Sequence, residues 1–295
     1  MTNQRLPHFY RQRYLMALLQ VFNCELQQTD FQKYLFLANQ EFTLSKEHYG
    51  FLPYNYGPFS FQAYADIRRL SNLGLLSIGK AVKLEYKTDY LSCLKNIDRA
   101  ALEGVYAQYR EVKGKSLIKE VYSKYPYFAQ NSKIRAQILN EKIKLPSLEI
   151  SQSLFSIGYE GRTIDQYLNT LIGENVSVLI DVRKNPISMK YGFSKGTLFN
   201  ATKNLGIKYI HLPELGIESS KRHNLDTFSD YSRLFDEYEE EVLVRTKKTL
   251  EEIVELFNRG HRLALTCFER DKQFCHRSRI TNHIEKEIGC TTRHL

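Results

Sequence analysis

Near the end of this 295-residue chain, the segment LTCFERDKQFCHRSRI (265–280) gathers two thiols, two carboxylates, an imidazole and three guanidinium groups. Cys275-His276-Arg277 follows a DKQ loop and is expected to begin the last helix. A thiol at a helix N-terminus, beside Arg277 and Arg279, has a depressed pKa and becomes a nucleophile. The same N-terminus with Arg277 would hold a phosphate without covalent chemistry. Glu269, two residues beyond Cys267, would serve as a general acid or base once desolvated. Cys267, Cys275 and His276 are also metal-ligand types, with His211 or Asp181 as a fourth. Against that, the Cys-x7-Cys spacing is not the short knuckle of structural zinc, and adjacent Cys and His seldom ligate together. No metal and no cofactor is expected. A Cys267–Cys275 disulfide lacks the CxxC signature of redox pairs.

Three other short apolar runs end in polar clusters. Leu154–Ile157 runs into Gly158-Tyr159-Glu160-Gly161, Val178–Ile180 into Asp181-Val182-Arg183, and Tyr209–Ile210 into His211-Leu212-Pro213-Glu214. Leu263–Thr266 leads into Cys267 in the same way. Between these runs lie amphipathic stretches at 163–173, 195–204, 229–240, 246–258 and 275–288. Strands alternating with helices predict a mostly parallel sheet covered on both faces. Ligands of such sheets bind outside the carboxyl ends of the strands, so the four clusters are expected to share one cleft. Asp181 and Arg183 would either form a buried pair fixing the sheet edge or orient a sugar hydroxyl and a phosphate. The final CTTRHL would add a short edge strand.

The segments SIGYEG, LIDVR, YIHLPELG and LTCFERDKQFCHRSRI, in this order, resemble the family catalogued as domain of unknown function 488, over about 153–290. The resemblance implies a Rossmann-like three-layer fold. Its pattern falls on Tyr159, Asp181, Arg183, His211, Cys267, Glu269, Cys275, His276 and Arg277. Family members occur near DNA-modification and phage-defence genes, so the resemblance implies nucleic-acid or nucleotide chemistry.

The first half reads differently. Phe9–Phe22 and Phe31–Ala38 place apolar residues at helical spacing. LPYNYG is expected to be a loop, with Pro58 opening a helix that runs to Leu73 and stops at Gly74. Residues 75–87 alternate around Gly79 as a hairpin would. Helix, helix, helix, hairpin is the order of a winged helix-turn-helix. On that reading Tyr64, Arg68 and Arg69 face bases, and Lys80, Lys83 and Lys87 contact phosphates. The stretch from QKYLFLANQ to RRLSNLGLL also resembles Panacea (SocA-like) antitoxin-associated domains over about fifty residues, which implies protein docking. Helices at 95–110, 114–124 and 129–142 would complete this half. Tyr122, Tyr125, Tyr127 and Phe128 around Pro126 read as core or interface.

Charge separates the halves. Residues 1–146 hold 21 Lys and Arg against 12 Asp and Glu, whereas residues 147–295 hold 21 of each. The whole net charge of +9 thus belongs to the first half, where a polyanion is the natural partner. The expected domains are therefore 1–146, basic and winged-helix-like, and 147–295, Rossmann-like α/β. An acidic run, DEYEEE at 236–241, reads as a solvated helix face. No apolar run reaches the length of a membrane span, the N-terminus lacks a signal-peptide pattern, and five scattered cysteines indicate a reducing compartment, so a cytoplasmic protein is expected. P-loop and GxGxxG motifs are absent, which leaves ATPase and dehydrogenase readings without support.

Three function classes remain. In one, the first half docks on DNA, or less readily RNA, while the α/β half recognises or processes a nucleotide, base or phosphate-bearing group, as a hydrolase or transferase with Cys275 and Glu269. In the second, a non-enzymatic regulator senses a ligand in the cleft and reads an operator. In the third, an antitoxin-like first half docks another protein. Half-site recognition would go with a homodimer.

Overall fold

The computed structural model describes residues 6–140 and 151–295, Lys87 and Asn224 excepted. The expected phosphate contact at Lys87 lies outside the described residues. The chain divides into two units, Met1–Leu145 and Pro146–Leu295. Among the described residues no helix is long and apolar enough to cross a membrane.

In the N-terminal unit, α1 (Tyr10–Val21) leads through β1 (Glu25–Gln27) to α2 (Gln28–Glu41). A hairpin, β2 (Leu52–Tyr54) and β3 (Gly57–Phe59), precedes α3 (Phe61–Asn72), and β4 (Leu76–Ile78) and β5 (Ala81–Leu84) follow. Helices α4 (Asn96–Tyr109), α5 (Gly114–Lys124), α6 (Pro126–Ala129) and α7 (Arg135–Leu139) complete it. Helix α2 is the centre of the unit: every residue from Asp30 to Ala38 is buried. A helix covered all round needs apolar side chains on every face, which Phe31, Leu35, Phe36 and Leu37 supply.

Pro58 does not open a helix. It sits in β3, opposite Pro53, because Gly57 takes φ +91° and turns the chain into a hairpin. The helix starts at Phe61, where Ser60 Oγ accepts from Ala63 N at 3.1 Å. Strands β1, β5 and β4 form an antiparallel sheet in that order. Of the expected helix over 129–142, the described residues form only α7, Arg135–Leu139, and 141–142 lie outside them; α6 ends at Ala129. Tyr122 is buried in the core, Tyr125 and Phe128 pack edge-on against Phe36, and Tyr127 is exposed.

The C-terminal unit holds β6 (Ser153–Gly158), α8 (Ile164–Gly173), β7 (Val178–Asp181), α9 (Lys195–Asn204), β8 (Lys208–His211), α10 (Phe228–Tyr238), α11 (Lys247–Asn258), β9 (Arg262–Cys267), α12 (Arg277–Ile288) and β10 (Arg293–His294). Its five strands are all parallel, in the order β10-β6-β9-β7-β8. The edge strand expected from CTTRHL is β10. Helices cover both faces. On one, α8 packs through Tyr167, whose hydroxyl donates to Thr266 Oγ1 at 2.8 Å, and α9 meets Tyr209 through Phe199. On the other, α10, α11 and α12 bury Leu234, Phe235, Ile253, Phe257, Ile280 and Ile284 against Leu154, Ile180 and Leu265. The acidic run leaves α10 through a π turn at Glu239–Leu243.

Candidate functional site

Side chains alternate across a strand, so register decides which strand-end groups meet. Asp181 pairs with Thr266, and Gly158 pairs with Cys267, the next residue along β9. Asp181 and Thr266 therefore leave the sheet on the α8 side, and Cys267 leaves on the α12 side. The four polar strand ends do not share one cleft; the sheet divides them into two clusters.

On the α8 side Asp181 is fully buried and Arg183 nearly so. The carboxylate accepts from Arg183 N at 3.1 Å, from Arg183 Nε at 2.8 Å, from Arg183 Nη2 and from Tyr209 Oη at 2.6 Å. Arg183 Nη1 donates to Tyr159 Oη at 3.0 Å and to Phe193 O at 2.9 Å, and the Tyr159 ring stacks on Phe193 at 4.2 Å. His211 Nε2 donates to Arg183 O at 2.9 Å, while Lys195 Nζ donates to His211 Nδ1 at 3.0 Å. Tyr159, Asp181, Arg183 and His211 are thus one closed cluster that locks the end of β7. Its charged atoms face protein partners, which favours the buried-pair reading over ligand binding.

The α12 side holds the reactive groups. A 3₁₀ turn at Lys272–Phe274 brings the chain back, so the ligand atoms of Cys267, Cys275 and His276 lie within 4.8 Å of one another, all buried. His276 Nε2 donates to Val182 O at 3.1 Å, which orients the ring with Nδ1 toward the two sulfurs. Arg222 Nη2 reaches that Nδ1 at 3.4 Å and Arg222 Nη1 donates to Glu269 Oε1 at 2.7 Å. Cys267 Sγ lies 3.2 Å from Glu269 Oε2, close enough to share one proton. A hydrogen bond from Cys275 holds the Cys267 thiol well below its ordinary range against the cost of burial, with His276 and Arg222 adding to the effect. Burial and the neighbouring Cys267 push Glu269 upward, opposed by Arg222. The shifts run in opposite directions and bring the proton affinities of the thiol and the carboxyl closer together.

Cys275 is corrected by this arrangement. Burial, and the charge of Cys267 beside it, push its thiol well above the ordinary range. It precedes the helix N-cap, and of the two thiols it is Cys267 whose pKa is lowered. Arg277 is also not an anion binder facing a cleft. It is 1% exposed, and its Nε donates to Ser156 Oγ at 3.2 Å, Nη1 to Glu269 O, and Nη2 to Arg270 O at 2.9 Å. It braces the loop that carries Glu269. Arg279 pairs with Asp236 at 2.8 Å and Glu239 at 3.1 Å on the helix surface. A zinc ion would accept the Cys267, Cys275 and His276 donor set, which the sequence spacing did not lead us to expect. Arg222, however, already brings a cation to Nδ1.

Beside this cluster is a pocket of about 270 Å³ whose polar lining is Arg222, Glu269 and His276. Its walls include Tyr231, Phe235 and Phe274, with Tyr231 and Phe274 edge-to-face at 5.1 Å. Both cysteines lie behind that lining, each 1% exposed. A pocket with aromatic walls and a few convergent polar groups suits a small molecule.

Residues 163–284 match the family model described as Domain of unknown function DUF488. No curated protein and no solved structure matches the chain. The DUF488 segment contains the pocket, the Cys267–Cys275–His276 cluster and the Asp181–Arg183 pair, whereas Gly158 and Tyr159 precede it. Within DUF488 the sequence reading missed Arg222, Tyr231 and Phe274. Arg222 lies at the end of a 3₁₀ turn, Ser219–Lys221, that no strand-end pattern marks.

Outside the DUF488 segment, the residues expected to meet nucleic acid lie on α3 and the β4–β5 hairpin. Tyr64, Arg68 and Arg69 are exposed, with the Arg68 guanidinium 5.9 Å over the Tyr64 ring. Lys80 is exposed in the hairpin turn, and Lys83 pairs with Glu25 at 3.0 Å.

Proposed function

We propose that the C-terminal domain binds and processes a nucleotide, nucleobase or related phosphate-bearing group, and that the N-terminal unit brings it to nucleic acid. The observation that carries this reading is the aromatic-walled pocket with Arg222, Glu269 and His276 converging on it. Flat rings stack against Tyr231 and Phe274. Arg222 offers a fork for an anionic or carbonyl oxygen. Glu269, whose pKa burial and the neighbouring Cys267 raise, offers a proton to a leaving group and can take one back, as a general acid–base residue does. Cys267, behind Glu269, acts as its proton partner and not as the attacking atom, since its sulfur does not line the pocket. Cys275 and Arg277 are positioning residues. DNA modification or phage defence is the setting that the family resemblance implies for such chemistry.

For the N-terminal unit, the order α1-β1-α2-β2-β3-α3-β4-β5 with sheet order β1-β5-β4 supports a winged-helix reading, with β2 and β3 as an added hairpin. Its charge excess, with Arg68, Arg69 and Lys80 at the surface, supports docking on a polyanion, DNA before RNA. The buried sulfurs favour one second reading, a regulator whose pocket binds without turnover.

The test is a panel of nucleobases, nucleosides and nucleotides bound to the full chain and to Glu269→Gln and Arg222→Ala. We expect a ligand whose affinity falls at least tenfold in Arg222→Ala. Turnover should be lost in Glu269→Gln while binding persists. Both binding and turnover should decline as pH rises through the raised Glu269 pKa, because the protonated carboxyl is the donor. Binding without turnover selects the regulator. No ligand, or equal affinity in Arg222→Ala, overturns the assignment of this pocket.

A further inference from the structure

The N-terminal unit contains a second cavity, of about 320 Å³, that the proposed chemistry does not use. Tyr54, Tyr56, Phe59 and Tyr64 supply aromatic walls and Ile67 and Val82 aliphatic ones. They come from the β2–β3 hairpin, α3 and β5. From α2 the lining includes Lys33, the only fully buried lysine among the described residues, at 2% exposure.

Lys33 has no direct ion-pair partner among the described residues. Its Nζ donates to Pro58 O at 3.1 Å, a neutral acceptor. Asp30, one turn back on α2, instead directs both carboxylate oxygens to Gly114 N at 3.2 Å. An ammonium buried without a counter-ion is costly. Burial accordingly pulls Lys33 down to about 7, opposed by Asp30. A bound anion would supply the missing charge and keep the amine protonated.

We propose that this cavity binds a small carboxylate with an aromatic body, its carboxylate paired with Lys33 and its ring among Tyr54, Phe59 and Tyr64. The single cation and the mainly apolar lining favour a monoanion with a large apolar part. A dianionic phosphate would have to shed more water for the same one partner. The site lies wholly within the N-terminal unit and does not rest on the nucleotide reading of the other pocket.

Benzoate, 4-phenylbutyrate and 2-naphthoate, each beside its neutral amide, are the probes, with binding to the full chain followed by calorimetry and saturation-transfer NMR. We expect at least one acid to bind at least about tenfold more tightly than its amide at pH 6.5. That preference should vanish in Lys33→Met. In the wild type the acid's affinity should fall, and the amide's stay level, as pH rises from 7 to 9 and the free amine loses its proton. The pH series decides the matter where Lys33→Met does not fold. Equal binding of acid and amide, a preference that persists in folded Lys33→Met, or no binding by any acid at 10 mM overturns the proposal.

Discussion

Replacing Asp181 by alanine tests whether the strand-end cluster on the α8 face is structural. Asp181 accepts four hydrogen bonds, three from Arg183 and one from Tyr209, and has no solvent exposure. Removing it leaves a guanidinium at 6% exposure without its counter-charge and a tyrosine hydroxyl without its acceptor. Breaking a buried ion pair from one side costs about 3–5 kcal/mol. For a unit of this size that corresponds to a fall in Tm of about 10 °C. The double variant Asp181→Asn with Arg183→Met removes both charges and should recover more than half of that loss, because no uncompensated ion remains. Urea unfolding followed by circular dichroism gives both values, and the C-terminal transition is the one to follow. A loss under 1 kcal/mol in Asp181→Ala would refute the reasoning. So would a double variant less stable than the sum of the two single ones.

Acid should weaken the N-terminal unit through Asp98. Burial works against its ionisation, but hydrogen bonds from Tyr10 and Ser45 hold the carboxyl down to about 2 from an ordinary 3.8. The folded pKa lies below the unfolded one, so this contribution, about 2 kcal/mol, is complete above pH 5 and lost as pH falls from about 4 to 2. Asp98→Asn should flatten that part of a stability-versus-pH curve, and an unchanged slope would count against the assignment. Gly158→Ala should damage the pocket from outside the DUF488 match. An added Cβ would fall 1.9 Å from the Glu269 carbonyl oxygen, forcing the loop outward at a cost of about 1–3 kcal/mol. A thermal melt equal to wild type would show that the loop does not rest on Gly158.

The strands of the C-terminal unit were legible because each is a short apolar run closed by polar residues, and even the two-residue edge strand was marked by CTTRHL. What the runs could not reveal was the face on which each terminal side chain leaves. Asp181 and Cys267 both look like the last residue of a strand, yet pairing sets Asp181 against Thr266, and a one-residue offset sends the two to opposite sides. The surroundings of Cys275 are hidden in the sequence for a related reason. Its neighbours Arg277 and Arg279 promised a cationic surrounding, but the 3₁₀ turn at 272–274 buries the thiol beside another sulfur and directs both arginines elsewhere. In the N-terminal unit β1, β2 and β3 have three residues each, too few for a local period to announce them, and β1 is held only by distant pairing with β5. Pro58 carries the same local signal at a helix start as in a strand next to a tight turn, and Gly57 decides between them.

Val182 stands between the two clusters, and both depend on it. Its neighbours Asp181 and Arg183 clasp each other on one face, while its own carbonyl orients the His276 ring on the other. The clusters are therefore not independent traits of the molecule. A substitution at Tyr209 or Tyr159 that loosens the clasp also tilts the peptide that orients the imidazole, and second-site suppressors of such a change should arise across the sheet near Arg222. Inheritance of the pocket then includes residues that never meet its contents.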